Sequence, residues 1–159
     1  MAADFGVSAY HNVDEMLADD SIEAIDVCVM EPGHYEIAKK SLLAGKHVLC
    51  EKAFTDDLAK ARELVQIANE RDLKLMVCYN YRYMETVMDL KSRIDAGDFG
   101  ELAFISICGH GYTFHHSIDL LRYLCGEVTN VTAKFTIDGK PFLYPLGEWV
   151  YTAPFAKAA

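Results

Sequence analysis

The chain has 159 residues, a net charge of −9 and a hydrophobic share of 52%, enough for one good core or two small ones. The negative balance argues against a nucleic-acid surface, because phosphates need a basic patch. No apolar run approaches the length of a membrane span, and the start, Met-Ala-Ala-Asp-Phe-Gly, does not read as a signal peptide. Five cysteines occur without a Cys-x-x-Cys pair. Cys28, Cys50 and Cys78 each fall in or at the end of a predicted strand, as small buried hydrophobes do. The expectation is a reducing, cytoplasmic setting with no disulfide framework and no metal site.

In chain order, Val7 to Tyr10 reads as a short strand. Asn12 caps a helix from Val13 to about Ala18, with Asp14 and Glu15 favourable in its first turn. Ile25 to Met30 is a second strand, broken by Pro32-Gly33. Tyr35 to Ala44 is amphipathic and closes on Gly45. His47 to Cys50 is a short apolar strand, followed at once by Glu51 and Lys52. Thr55 caps the next helix, whose apolar face is Leu58, Ala61, Leu64, Val65 and Ala68. Lys74 to Tyr79 is another strand. Strands alternating with helices, and apolar throughout, predict a parallel sheet with right-handed crossovers.

Character changes near Tyr79 to Met84. Met84 to Ala96 is a long helix ended by Gly97, and Leu102 to Cys108 a strand. His116 to Leu124 is a helix with Ile118, Leu121 and Leu124 facing inward, stopped by Gly126. Val128 to Ile137 alternates like a strand with one buried face. Asp138-Gly139 reads as a hairpin turn, with Pro141 to Tyr144 returning. The fold class is therefore α/β: residues 1–82 form part of a Rossmann-type parallel sheet, and residues 83–159 part of an α+β domain with a mainly antiparallel sheet.

The stretch Ala44 to Phe54 organises this reading. Glu51 and Lys52 stand at the carboxyl end of a strand, where open α/β sheets bind ligands. The alternative is a surface ion pair that merely closes the strand.

Several pieces in one order resemble the family of glucose–fructose oxidoreductase, inositol 2-dehydrogenase and their relatives. They are Ile25-Asp26-Val27-Cys28-Val29, Glu31-Pro32 with His34, Ala44-Gly45-Lys46-His47-Val48, Glu51-Lys52, Asn80-Tyr81-Arg82-Tyr83, Gly97-Asp98-Phe99-Gly100 and His116-Ser117-Ile118-Asp119. The resemblance implies a Rossmann domain that holds NAD or NADP and a second α/β domain that carries the substrate and makes a homo-oligomer. It implies hydride transfer between the nicotinamide and a sugar, cyclitol or related alcohol.

The resemblance also implies roles. Lys52 matches the lysine of a Glu-Lys-Pro motif, where an ammonium stabilises a developing alkoxide and joins a proton relay. Glu51 matches the glutamate that approaches the nicotinamide ribose. His116 matches a catalytic histidine, the natural acid/base for alcohol–ketone interconversion. Asp119, one helical turn on, can orient that imidazole or hold a substrate hydroxyl. Pro32 and His34 match the turn that contacts the cofactor ribose. Arg82 can meet cofactor phosphate or substrate, or pair with an acidic neighbour. Two positions depart from the pattern. Ala53 stands where proline is usual, and Tyr112 where many members have an active-site aspartate, leaving a phenol to donate in place of a carboxylate.

No Gly-x-Gly-x-x-Gly occurs to grip a diphosphate. A βαβ unit takes roughly thirty residues or more, so the resemblance implies a chain truncated at both ends. Its strands would then have uncovered edges that invite pairing with another chain. The alternative function is a non-catalytic remnant that serves as an assembly or binding module. A metal-dependent hydrolase built on His110, His115, His116 and Asp119 lacks the same-face spacing that metal ligands need.

Overall fold

A computed structural model describes residues 2–108 and 113–130. The chain divides into two compact units, Met1–Cys78 and Tyr79–Ala159. Among the described residues, no helix is long and apolar enough to cross a membrane.

The first unit contains α1 (Ala2–Phe5), α2 (Val13–Leu17), β1 (Ala24–Val27), a 3₁₀ turn (Glu31–Gly33), α3 (His34–Leu43), β2 (His47–Cys50), α4 (Leu58–Glu70) and β3 (Leu75–Val77). Asn12 begins α2 by accepting the Glu15 N–H at 2.9 Å. The Glu15 carboxylate reaches back to the His11 N–H at 3.1 Å, which fixes the chain just ahead of the cap. At the far end of α3, Gly45 has φ +78°, a value a side chain would strain, and the Lys46 N–H returns to the Ser41 carbonyl.

The three strands pair in parallel in the order β1-β2-β3, with Ile25 opposite Val48 and Cys50 opposite Val77. Because that order runs one way, right-handed crossovers place α3 and α4 on the same face of the sheet. Ala38 and Leu42 of α3, with Leu64 and Ala68 of α4, pack onto Ile25, Val27, Val48 and Cys50. Both helical pairs are four residues apart, the spacing that stacks side chains on one face.

Several expectations change here. Val7 to Tyr10 forms no strand; the local structure instead is α1, just before it. Burial along β1 alternates, with Ile25 and Val27 buried and Asp26 exposed, because the described helices α3 and α4 pack on the face of Ile25 and Val27. On the opposite face Met76 is exposed, and Cys28, just past the strand, is exposed too. Asp57, not Thr55, caps α4: its carboxylate accepts the Ala59 N–H at 2.7 Å, while the Thr55 hydroxyl accepts the Asp57 N–H. Leu58 and Val65 point into solvent, so the packed stripe of α4 is narrower than its sequence pattern.

The second unit opens with a 3₁₀ turn (Asn80–Tyr83), then α5 (Glu85–Ala96) and α6 (Phe114–Cys125). Gly97 and Gly126, with φ +79° and +87°, end the two helices where the sequence places their stops. The helix expected from His116 starts two residues earlier, which puts His116 in its first turn. Leu102 to Cys108 forms no strand. A strand exists through its partner, and none of the described residues pairs with this segment. Of the stretch expected as a strand from Val128 to Ile137, residues 128–130 are irregular. The rest, with the Asp138-Gly139 turn and Pro141 to Tyr144, lies outside the described residues.

Candidate functional site

Two groups of candidate residues are described, one in each unit. In the first, β2 delivers Glu51 and Lys52 to the carboxyl end of the middle strand. The Glu51 N–H donates to the Val27 carbonyl at 3.1 Å and so extends the β1–β2 ladder by one residue. The Glu51 carboxylate accepts the Lys52 N–H at 3.1 Å, which turns the acid back over the start of the loop. Both side chains are half-buried. The Lys52–Ala53 peptide is cis.

The neighbouring thiols are held protonated. Burial pushes the Cys50 thiol up to about 11, with Glu51 and Asp26 adding to it. Cys78 is raised in the same way, first by burial and then by the Glu51 charge. Neither is a nucleophile near neutral pH.

His34 is only 1% exposed, although it is the first residue of a helix. Its Nδ1 lies 2.7 Å from the Ala53 carbonyl oxygen and its Nε2 2.9 Å from the Val29 carbonyl oxygen. A carbonyl oxygen only accepts, so the ring nitrogen that carries the proton is the donor. His34 thus ties the loop after β1 to the loop after β2. Pro32 sits at the start of the 3₁₀ turn and is exposed.

In the second unit, Arg82 and Asp119 meet as a fork. Arg82 Nε donates to Asp119 Oδ2 at 2.6 Å, and Nη2 donates to Oδ1. Asp119 is buried, and its carboxylate raises the Arg82 guanidinium above its ordinary range. Arg82 also lies over the Tyr123 ring at 5.2 Å. Of the readings open to Arg82, the ion pair with an acidic neighbour is the one seen. His116, at 6% exposure, stacks on Tyr81 with ring centres 4.1 Å apart and planes 13° apart. Tyr79 meets it edge-on at 6.0 Å, and His115 lies tilted at 4.4 Å. Tyr112 and His110 lie outside the described residues.

The sequence reading missed Tyr79 and Tyr81. The signal is present in Asn80-Tyr81-Arg82-Tyr83, but nothing along that run separates a ring that packs on a distant histidine from one that does not. An aromatic beside a site histidine is invisible until the fold sets it there.

Residues 1–79 match the family described as "Oxidoreductase family, NAD-binding Rossmann fold".

The chain belongs to this oxidoreductase family.

It is 35% identical over 96 residues to D-xylose 1-dehydrogenase (NADP(+)) of Hypocrea jecorina, a match covering 60% of this chain and 25% of that protein. It is 27% identical over 146 residues to inositol 2-dehydrogenase of Rhizobium meliloti, covering 79% of this chain and 44% of that one. Among solved structures, an NAD-binding protein from Listeria innocua superposes with a TM-score of 0.69 at 25% identity, covering 85% of this chain and 45% of that one. The first curated relatives it matches are spanned over about a quarter of their length, 26%.

A dinucleotide of this oxidoreductase family needs a diphosphate cradle of free N–H groups at a helix start. Among the described residues, Asn12 takes one N–H at the start of α2 and the Asp57 carboxylate, an unsuitable neighbour for phosphate, takes one at the start of α4, whereas α3, α5 and α6 begin without a side-chain cap. At the carboxyl end of β2 the chain sets a carboxylate acceptor, Glu51, beside an ammonium donor, Lys52.

Proposed function

We propose that the chain serves hydride exchange between NAD or NADP and the alcohol carbon of a sugar or cyclitol. The observation that carries this reading is Lys52, half-buried at the carboxyl end of the middle strand β2 and beside Glu51. Membership of an NAD-binding oxidoreductase family and relatives named as xylose and inositol dehydrogenases support it.

In this reading Lys52 steadies the alkoxide that forms as the alcohol loses its proton. His116 serves as the general acid/base of the alcohol–ketone interconversion. Asp119 and Arg82 hold the turn and helix that carry His116. Glu51 receives ribose hydroxyls, with Pro32 and His34 shaping the adjacent loop. The Tyr112 phenol donates to a substrate hydroxyl. The nicotinamide, when bound, supplies the hydride acceptor. The compartment is the cytoplasm and the working form a homo-oligomer.

Calorimetric titration of the full chain with NAD and with NADP tests the binding. Turnover of D-xylose and of inositol by Lys52→Ala tests the chemistry, with an expected loss of about 10²-fold or more at unchanged dinucleotide affinity. No binding of either dinucleotide removes the activity and leaves only ancestry.

A second reading, an assembly module without catalysis, is favoured by Ala53 in the usual proline position and by the sheet face, with exposed Met76, that no described helix covers. Light scattering that shows one defined oligomer, in a chain that binds no dinucleotide, supports it.

A further inference from the structure

We propose that Tyr81 is the positioning residue that orients the His116 imidazole, and that the Arg82–Asp119 ion pair holds Tyr81 where it can do so. The inference rests on the reading of His116 as the acid/base, but its geometry stands by itself.

Tyr81 and Arg82 are consecutive residues of the 3₁₀ turn Asn80–Tyr83. His116 and Asp119 are three residues apart on α6, one turn of helix, and so share a face. The two pairs form two rungs between the turn and the helix. One rung is the stack of Tyr81 on His116, at 4.1 Å and nearly parallel. The other is the fork of Arg82 on Asp119, closed at both carboxylate oxygens. An Arg–carboxylate fork is planar and directional, so it fixes the rotation of the turn as well as its distance. With Arg82 fixed, the side chain of its neighbour has little freedom over the imidazole.

The expected orienter was Asp119 itself. Both of its oxygens already accept from Arg82. Tyr79 meets only the edge of the His116 ring, at 86°. His115 rides on the same helix as His116 and is tilted by 44°. Tyr81 alone of these presents a parallel face from a different element. An imidazole that shuttles a proton to an alcohol needs one ring plane and one approach angle, and a flat aromatic wall supplies both.

The test uses the full chain with ¹³C-labelled histidine. The chain has six histidines, and His116→Gln assigns the His116 signals by their disappearance. A ring stacked on a phenol face has its C–H protons shifted upfield. Tyr81→Phe keeps that shift, and Tyr81→Ala loses it while the other histidines stay in place. Tyr81→Leu, which restores volume without an aromatic face, repeats the loss if the alanine variant does not fold. In turnover assays, Tyr81→Ala lowers kcat about tenfold with KM unchanged, and Tyr81→Phe restores it. His116 signals unmoved in both Tyr81→Ala and Tyr81→Leu overturn the proposal, as does a lost stack with undiminished kcat. If the native chain turns over nothing, the oxidoreductase reading fails and the histidine spectra alone decide the role of Tyr81.

Discussion

The two units are held together by different forces. In the first, Leu42, Leu64, Ala38 and Cys50 are wholly removed from water. Its buried polar groups are tied to backbone oxygens: His34 to Val29 and Ala53, Ser41 to Ile37, Lys46 to Asp19. In the second unit, the buried apolar side chains among the described residues are Leu121 and Leu124, and they share α6 with buried His116 and Asp119. No residue of α5 is buried. In the first unit the candidate site therefore rests on a dry core. In the second, the candidate site is a large part of the packing. A substitution at Lys52 should cost function before fold, whereas one at Asp119 or Arg82 should cost both.

The sharpest way to break this contrast is in the dry core. Leu64→Ala empties a fully enclosed position, and by analogy with other buried leucines should cost about 2–5 kcal/mol in urea denaturation. Hydrogen exchange should place that loss in β1, β2 and α3. A loss below 1 kcal/mol, read against that scale, would mean the core is not the main support of the first unit.

Next in size is the polar counterpart. Arg82→Ala leaves the Asp119 carboxylate buried without its fork. Removing one partner of a fully buried pair costs about 3–5 kcal/mol, but the Arg82 side chain is 35% exposed and partly screened, so about 1–3 kcal/mol is expected. Asp119→Asn with Arg82→Ala should cost less than the sum of the two, and a double-mutant cycle reads that coupling. Strict additivity would dissolve the claim that polar contacts hold this unit.

The smallest effect concerns pH in the first unit. Asp19 accepts from the Ser21 hydroxyl at 2.6 Å, the Tyr10 hydroxyl at 2.5 Å and the Ser21 N–H at 2.8 Å. These bonds, Ser21 first, hold its carboxyl down from 3.8 to about 2. A depressed folded value means the unfolded chain binds the proton more readily. The contribution is therefore complete above 3.8 and lost as pH falls toward about 2. Asp19→Asn should show a flatter fall in urea midpoint across that window than the native chain. Parallel curves for the two proteins would show that this cluster is decorative.

Much of the first unit was legible because its signals are local. The pattern Ala38 and Leu42, or Leu64 and Ala68, follows from helical spacing, and Asn12 and Gly45 mark boundaries through single residues. The strand His47–Cys50, with Glu51 and Lys52 at its end, could be read directly from the chain. What escaped there was one-sidedness. Apolar strands predict a parallel sheet but do not say which face the helices take; the order of the strands put α3 and α4 on one. The choice between Thr55 and Asp57 as cap also escaped, since both are good caps and only the backbone path separates them.

Less of the second unit could be read in advance. Leu102 to Cys108 has a strand's composition, but pairing is a property of two segments, and the sequence names only one. His116 and Asp119 were visible as a spacing on one helix face. Their partners were not, because Tyr81 and Arg82 lie more than thirty residues away and are brought there by the turn at Asn80–Tyr83.

By itself the sequence determined what depends on neighbours along the chain: the helices and their stops, the parallel alternation, the family, and Lys52 at a strand end. Tertiary structure decided what depends on neighbours in space. It set which face of the sheet is dry, which nitrogen of His34 meets which carbonyl, and which group stands against His116. The reason is range. Periodicity and capping act over one or two turns of backbone, whereas a stacked ring or a forked ion pair joins groups whose separation along the chain carries no signal.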